Sequence, residues 1–261
     1  RVFSKRAVSG GEVHILCRSD GRKEKDCAIR EKHEARLLTD LDKLVKRIGA
    51  LATHREIQEH PIVKREFPLL AQACATIGAA QIQNRGPLGG NLANASPAGD
   101  SFPPLAVYEP LVRAISPAGR RIIHFSELFA GVKKTTLRPS ELIESIELHF
   151  PTRRPTRQVF RKVGTRAAQA ISKVVAAGTL TMSPTGAVIE LRFAVGSVAT
   201  TVKRLRNAEG CVMMKTLTPA LIDETVERVC DDISPIDDIR STRAYRLHAV
   251  RGILRRFLEA K

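Results

Sequence analysis

A chain of 261 residues with 43% apolar content can bury a real core in one large domain or two modest ones, which excludes global disorder. No window approaches the roughly 18 apolar residues of a membrane span. The charged stretch Arg1–Arg47 lacks the apolar heart of a secretory leader, so a cytoplasmic protein is expected, with an upstream segment allowed for by the Arg1 start. The net charge of +16 is uneven: residues 1–47 carry 13 Lys/Arg against 8 Asp/Glu, residues 48–150 carry 10 against 9, and residues 151–261 carry 20 against 10.

The basic C-terminal third suits nucleic acid or an acidic protein partner. With two Tyr, no Trp and no aromatic-plus-basic cluster, a stacking platform for single strands is disfavoured. Cys17, Cys27, Cys74, Cys211 and Cys230 form no C-x-x-C pair, so they read as reduced thiols rather than a metal centre.

Residues 1–47 mix short apolar runs with dense charge and suggest partial order, or folding against a partner. Ile48–Ala50 ends a short strand. Thr53 and Glu56 form a capping box for a helix to about Glu59. Pro61–Ile77 has helical apolar spacing and reads as one amphipathic helix. Asn84–Asp100 (Asn-Arg-Gly-Pro-Leu-Gly-Gly-Asn-Leu-Ala-Asn-Ala-Ser-Pro-Ala-Gly-Asp) reads as a loop. Its glycines permit positive φ and close backbone approach, and successive N–H groups there form an anion cradle. Pro103–Val107 predicts a short helix. Leu111–Ser116 and Arg121–His124 predict a hairpin around Pro117-Ala118-Gly119. Ser126–Phe129 is a helical turn, and Leu142–Phe150 alternates as a strand.

Pro151–Pro155 is the candidate boundary. Strands are expected at Gln158–Lys162, Val174–Met182, Ala187–Val195 and Ala199–Val202, with a helix at Ala167–Ser172 and a turn at Ser183–Gly186. Thr218 caps a helix from Pro219 to about Asp231, and Asp238 or Ser241 starts the last helix. Asp237, Asp238 and Arg240 read as a local cap rather than an acid–base centre. His54 and His60 read as ordinary surface groups. No nucleophile–base pair is apparent.

At Leu88-Gly89-Gly90-Asn91 and Ala95-Ser96-Pro97-Ala98-Gly99-Asp100 the chain closely resembles the flavin-binding subunit of the molybdenum hydroxylases, the family of xanthine and carbon monoxide dehydrogenases. Further matches follow in order at Arg47–His54, Phe129–Pro139, Phe160–Arg166 and Ser234–Thr242, so the resemblance covers about residues 47–261. It implies an α+β fold: a two-lobed FAD-binding domain of the PCMH type over residues 1–151, with 1–36 atypical, then an α+β C-terminal domain over 156–261 with an antiparallel sheet and helices.

It implies FAD as cofactor, held by Leu88, Gly89, Gly90, Asn91, Ser96 and Asp100. Ile143 would lie against the flavin ring, and Lys162 or Arg161 would supply a cation near it. Ser9, Gly10 and Gly11 would form the first phosphate loop, although Glu12 follows where a small hydroxyl residue is usual. Pro87 likewise replaces a usual Ser or Thr and removes an N–H. The implied partners are a molybdopterin-binding large subunit and a [2Fe–2S] small subunit, with electrons leaving to NAD+ or another acceptor, no membrane span and no nucleic acid. Two alternatives stay open: a truncated or decayed flavin subunit without tight FAD binding, and a basic nucleic-acid-binding module.

Overall fold

The computed structural model describes residues 45–260 throughout, and the backbone of 3–7, 13–17 and 39–41. Strands β1 (Phe3–Ala7) and β2 (Val13–Cys17) pair antiparallel. Ser9, Gly10 and Gly11 lie outside the described residues, as does most of segment 1–36.

The first lobe is built on an antiparallel five-stranded sheet of order β3-β4-β9-β5-β6. Its strands are β3 (Thr39–Leu41), β4 (Val45–Gly49), β5 (Leu111–Ser116), β6 (Gly119–His124) and β9 (Leu142–His149). A 3-10 turn at Phe125–Glu127 and a small hairpin, β7 (Phe129–Gly131) with β8 (Lys134–Thr135), follow β6. Between β4 and β5 come six short helices: α1 (His54–Glu59), α2 (Pro61–Glu66), α3 (Pro68–Thr76), α4 (Ala80–Arg85), α5 (Leu88–Asn94) and α6 (Phe102–Tyr108).

The Thr53–Glu56 capping box forms as expected. The single helix expected over Pro61–Ile77 is instead two. Pro68 disfavours helical geometry in the residue before it, and Phe67 sits at φ −128°, ψ 51°. The break drives Phe67 into the core, where it stacks on Phe150 at 5.6 Å and meets Tyr108 edge-on at 5.2 Å.

The second lobe is an antiparallel sheet of order β10-β11-β12-β13: β10 (Arg157–Val163), β11 (Val174–Met182), β12 (Val188–Gly196) and β13 (Lys203–Arg204). Helices α7 (Arg206–Val212), α8 (Pro219–Glu227), α9 (Val229–Asp232) and α10 (Arg243–Glu259) cover one face. Val174, Ala176, Leu180, Phe193 and Val195 pack there with Val250, Leu254 and Phe257.

The helix expected at Ala167–Ser172 is absent. Arg166 donates to the carbonyls of Ala168 and Gln169 at 3.0 and 2.7 Å, and Gln169 takes φ +52°, which closes a tight loop. The strand expected at Ala199–Val202 is a bend, and pairing resumes only at Lys203. The expected helix to Asp231 breaks at Arg228 into α8 and α9.

The other face of this sheet meets the first lobe, and its cross-strand rows change character along it. Phe160, Ala177 and Ala194 form one row. Its two alanines join the first-lobe core with Leu105 and Ala106, so small side chains let α6 approach the sheet. Arginines of the second lobe cap the end of α6: Arg192 donates to Val107 O at 3.1 Å and Arg204 to Ala106 O at 3.4 Å. These are carbonyls that a helix C-terminus leaves without partners of its own. On one side of that apolar row stands Lys162–Val175–Gly196. On the other stands the polar row Gln158–Thr179–Arg192.

Candidate functional site

The segment Asn84–Asp100 is not the open loop its composition suggests. Residues Leu88–Asn94 are helical, Asn91 N–H closes the first turn onto Pro87 O at 3.1 Å, and Ala95 ends the helix in the left-handed region at φ +47°. Neither Gly89 nor Gly90 has positive φ. Their roles differ. Gly89 is buried, and a Cβ there would lie 2.6 Å from Ala50 Cβ and 2.8 Å from Ala50 O, so glycine lets α5 lie directly on the chain leaving β4. Gly89 N–H donates to Ala50 O and Leu88 N–H to Ala52 O, each at 2.9 Å, so neither donor is free for a ligand. At Gly90 a Cβ would meet only the Pro87 ring, at 3.2 Å.

Asn91 Oδ1 accepts from Ser101 Oγ at 2.6 Å, and Ser96 Oγ accepts from Ala98 N–H at 3.3 Å in a local turn. The segment then docks on the second lobe. Pro97 O accepts from Ser197 N–H at 2.9 Å, and Ala98 O from Ser172 Oγ at 3.4 Å. Asp100 meets Lys162, whose Nζ donates to Asp100 Oδ2 at 2.6 Å and to Thr76 O at 2.9 Å. The two residues expected to face the cofactor separately are thus an inter-lobe ion pair, with side chains only 12% and 9% exposed. Burial pushes the Asp100 carboxyl up, while the bond and charge of Lys162 and a weaker interaction with the Ser172 hydroxyl oppose that shift.

Ile143 lies on β9 opposite Ala114, half-buried against the first-lobe core. Arg161 is exposed and points its strand position away from the Lys162 row. His54, expected at the surface, is 2% exposed. Its N–H donates to Gly86 O at 3.0 Å, and its ring packs where a Gly86 side chain would stand. Burial lowers its pKa to about 4. His60 caps α2, with Nδ1 accepting from Ile62 N–H at 3.2 Å. The last helix starts at neither Asp238 nor Ser241: Thr242 caps α10, its Oγ1 accepting from Tyr245 N–H at 3.2 Å, while Asp237 takes Arg243 N–H and Asp238 takes the N–H groups of Arg240 and Ser241 in the turn before it.

Ser172, Ser197 and Thr76 were not singled out from the sequence. They reach the segment only through folding, and no local motif marks them. A cavity of about 510 Å³ lies at the opposite, polar end of the same sheet face, lined by Tyr108, Phe150, Gln158, Thr179, Thr181 and Arg192. Four residues along a strand separate its Gln158 row from Lys162, roughly 13 Å, so it is a different place from the Gly-rich segment.

The family described as the FAD binding domain in molybdopterin dehydrogenase matches residues 8–151, more than half of the chain. The chain belongs to that family. The CO dehydrogenase flavoprotein C-terminal domain matches residues 159–260. The chain is 28% identical over 214 residues to a putative xanthine dehydrogenase FAD-binding subunit of Escherichia coli, covering 81% of this chain and 72% of the relative. It is 31% identical over 205 residues to the glyceraldehyde dehydrogenase medium chain of Sulfolobus acidocaldarius, covering 78% and 71%. A solved carbon monoxide dehydrogenase from Hydrogenophaga pseudoflava superposes with a TM-score of 0.80 at 24% identity, covering 87% of this chain and 77% of that one, which establishes the α+β fold. This medium subunit of the molybdenum hydroxylases is therefore an oxidoreductase component of the FAD class. Among the described residues, no helix is long and apolar enough to cross a membrane.

Proposed function

We propose that this medium subunit holds FAD against residues 84–100 and relays electrons from [2Fe–2S] centres on a small partner subunit to NAD+ or another acceptor. A molybdopterin-binding large subunit would oxidise the substrate, and the assembly would work in the cytoplasm. The observation that carries the reading is the family match across the Gly-rich segment, with Gly90 open to close approach and the Asn91 amide donors uncommitted among the described residues.

The residues present fit FAD in part. Gly90 leaves room for close approach, Asn91 has amide donors uncommitted among the described residues, and Asp100 closes the segment through its ion pair with Lys162. Leu88 and Gly89 serve by shaping the turn, because their N–H groups are bonded to Ala52 and Ala50. Ile143 offers an apolar wall. Lys162 acts through Asp100, holding the carboxylate in place. Ser9, Gly10 and Gly11 complete the phosphate contact in this reading. When bound, FAD supplies two-electron exchange with a nicotinamide and one-electron exchange with iron–sulfur centres.

The boundary between the FAD-binding part, 1–151, and the C-terminal part, 156–261, falls in Pro151–Pro155 on this reading. The excess of Lys and Arg in residues 151–261 suits docking of an acidic partner subunit. The test is a visible spectrum of the purified chain with added FAD. Flavin bands near ~450 nm that survive gel filtration and are released by denaturation support the proposal. A colourless chain that ignores added FAD refutes it and favours a decayed subunit.

A further inference from the structure

Helix α10 belongs to the second lobe, yet one of its side chains is joined to the backbone of the Gly-rich segment through a single residue. Arg246 is 4% exposed. Its Nη1 donates to the carbonyl of Ser197, and its Nη2 donates to Asp238 Oδ1 at 2.7 Å. The Asp238 carboxylate also accepts the N–H groups of Arg240 at 2.8 Å and Ser241 at 3.0 Å, so the acid is itself immobilised. On the other side of the relay, Ser197 N–H donates to Pro97 O at 2.9 Å. Ser197 Oγ lies 3.0 Å from Ser172 Oγ, and Ser172 Oγ donates to Ala98 O at 3.4 Å.

Ser197 holds φ +66°, a left-handed conformation unfavourable for any residue but glycine. Such a conformation persists where the surroundings over-determine it. Here they do so from both sides: Pro97 takes the N–H and Arg246 clamps the carbonyl. Removing the clamp frees Ser197 to relax toward an ordinary conformation and pull away from Pro97. Asp100 lies three residues beyond Pro97 in the same short turn.

We infer that Arg246, braced by Asp238, is a positioning residue for the cofactor. It fixes Ser197, Ser197 fixes Pro97–Ala98, and the turn then presents Asp100 at a set place. This rests on the reading that residues 84–100 bind FAD. Lysine cannot replace Arg246, because one ammonium lacks the planar fork that serves a carbonyl and a carboxylate together.

The experiment uses the full chain as wild type, Arg246→Lys, Asp238→Asn and the double variant. It measures FAD affinity by flavin fluorescence, the visible spectrum and midpoint potential of the bound flavin, and the melting temperature without FAD. Each single variant is expected to weaken FAD on the order of tenfold, the effect of losing one buried charge-assisted hydrogen bond. Each is also expected to shift the flavin spectrum or potential. The double variant is expected to lose little more than either single one, since both act in one relay. Variants that melt lower but keep wild-type FAD affinity, spectrum and potential overturn the inference, because Arg246 is then only a tie between elements. Should Arg246→Lys fail to fold, Asp238→Asn alone decides on the same readouts. A wild-type chain that takes up no FAD overturns the cofactor reading itself, and the inference with it.

Discussion

Gly89 and Gly90 are adjacent and chemically identical, and alanine at each should fail in a different assay. At Gly89 the added methyl would sit 2.6 Å from Ala50 Cβ, 2.8 Å from Ala50 O and 3.0 Å from Ala50 Cα, so backbone must move. Overpacking of this kind costs about 1–3 kcal/mol. The shift also loosens the Leu88–Ala52 and Gly89–Ala50 hydrogen bonds, each 2.9 Å, and such bonds contribute about 1 kcal/mol apiece. A loss of about 3 kcal/mol or more is expected for Gly89→Ala in the flavin-free chain. At Gly90 the nearest atom is Pro87 Cγ at 3.2 Å, a ring carbon able to yield. Alanine is the better helix former by about 1 kcal/mol, which offsets that contact. Gly90→Ala should therefore keep wild-type stability within about 1 kcal/mol and lose FAD affinity. Urea denaturation of the stripped chain, followed by FAD titration, separates the two. Equal destabilisation by both variants, or wild-type FAD affinity in Gly90→Ala, refutes the division of roles.

Burial holds His54 neutral down to about pH 4 against an ordinary 6.5, so the unfolded chain takes up this proton first. The associated stability is complete above pH 6.5, erodes as pH falls from there toward 4, and amounts to about 3 kcal/mol. Urea midpoints across that window should fall more steeply for the wild type than for His54→Asn, and parallel slopes refute this. Lys162→Met leaves Asp100 buried and unpaired and should cost about 3–5 kcal/mol. Adding Asp100→Asn should recover part of that loss in chemical denaturation, whereas strictly additive effects dismiss the coupling. Assembly with the partner subunits should weaken as salt is raised if the basic C-terminal part docks an acidic surface. A complex whose affinity ignores ionic strength excludes that docking mode.

What could be read from residue order was whatever local physics decides. The Thr53–Glu56 capping box, the hairpin at Pro117-Ala118-Gly119 and the Ser183–Gly186 turn all use atoms a few residues apart, and all form as expected. Two of the failures share a distant cause, whereas the helix missing at Ala167–Ser172 is lost to a local loop closed by Arg166. The break at Phe67 is won by the proline after it together with the pull of Phe150 and Tyr108, which come from elsewhere in the chain. His54 looked like a surface group because its burial depends on Gly86 at the far end of α4.

The Gly-rich segment shows where local reading stops. Its residue order names the family, because Gly-Gly-Asn and Ala-Ser-Pro-Ala-Gly-Asp follow one another within a single short segment. The work of each residue depends on neighbours that are distant in sequence. Ala50 makes Gly89 a packing residue, Lys162 turns Asp100 into half of an ion pair, and Ser197 grips Pro97. Two of those three neighbours belong to the second lobe. The Gly-rich segment of the first lobe is thus held in shape by the second, through Lys162 at one point and Arg246 at another. Substitutions in the second lobe, far from any glycine, should then alter flavin affinity while leaving the Gly-rich sequence intact.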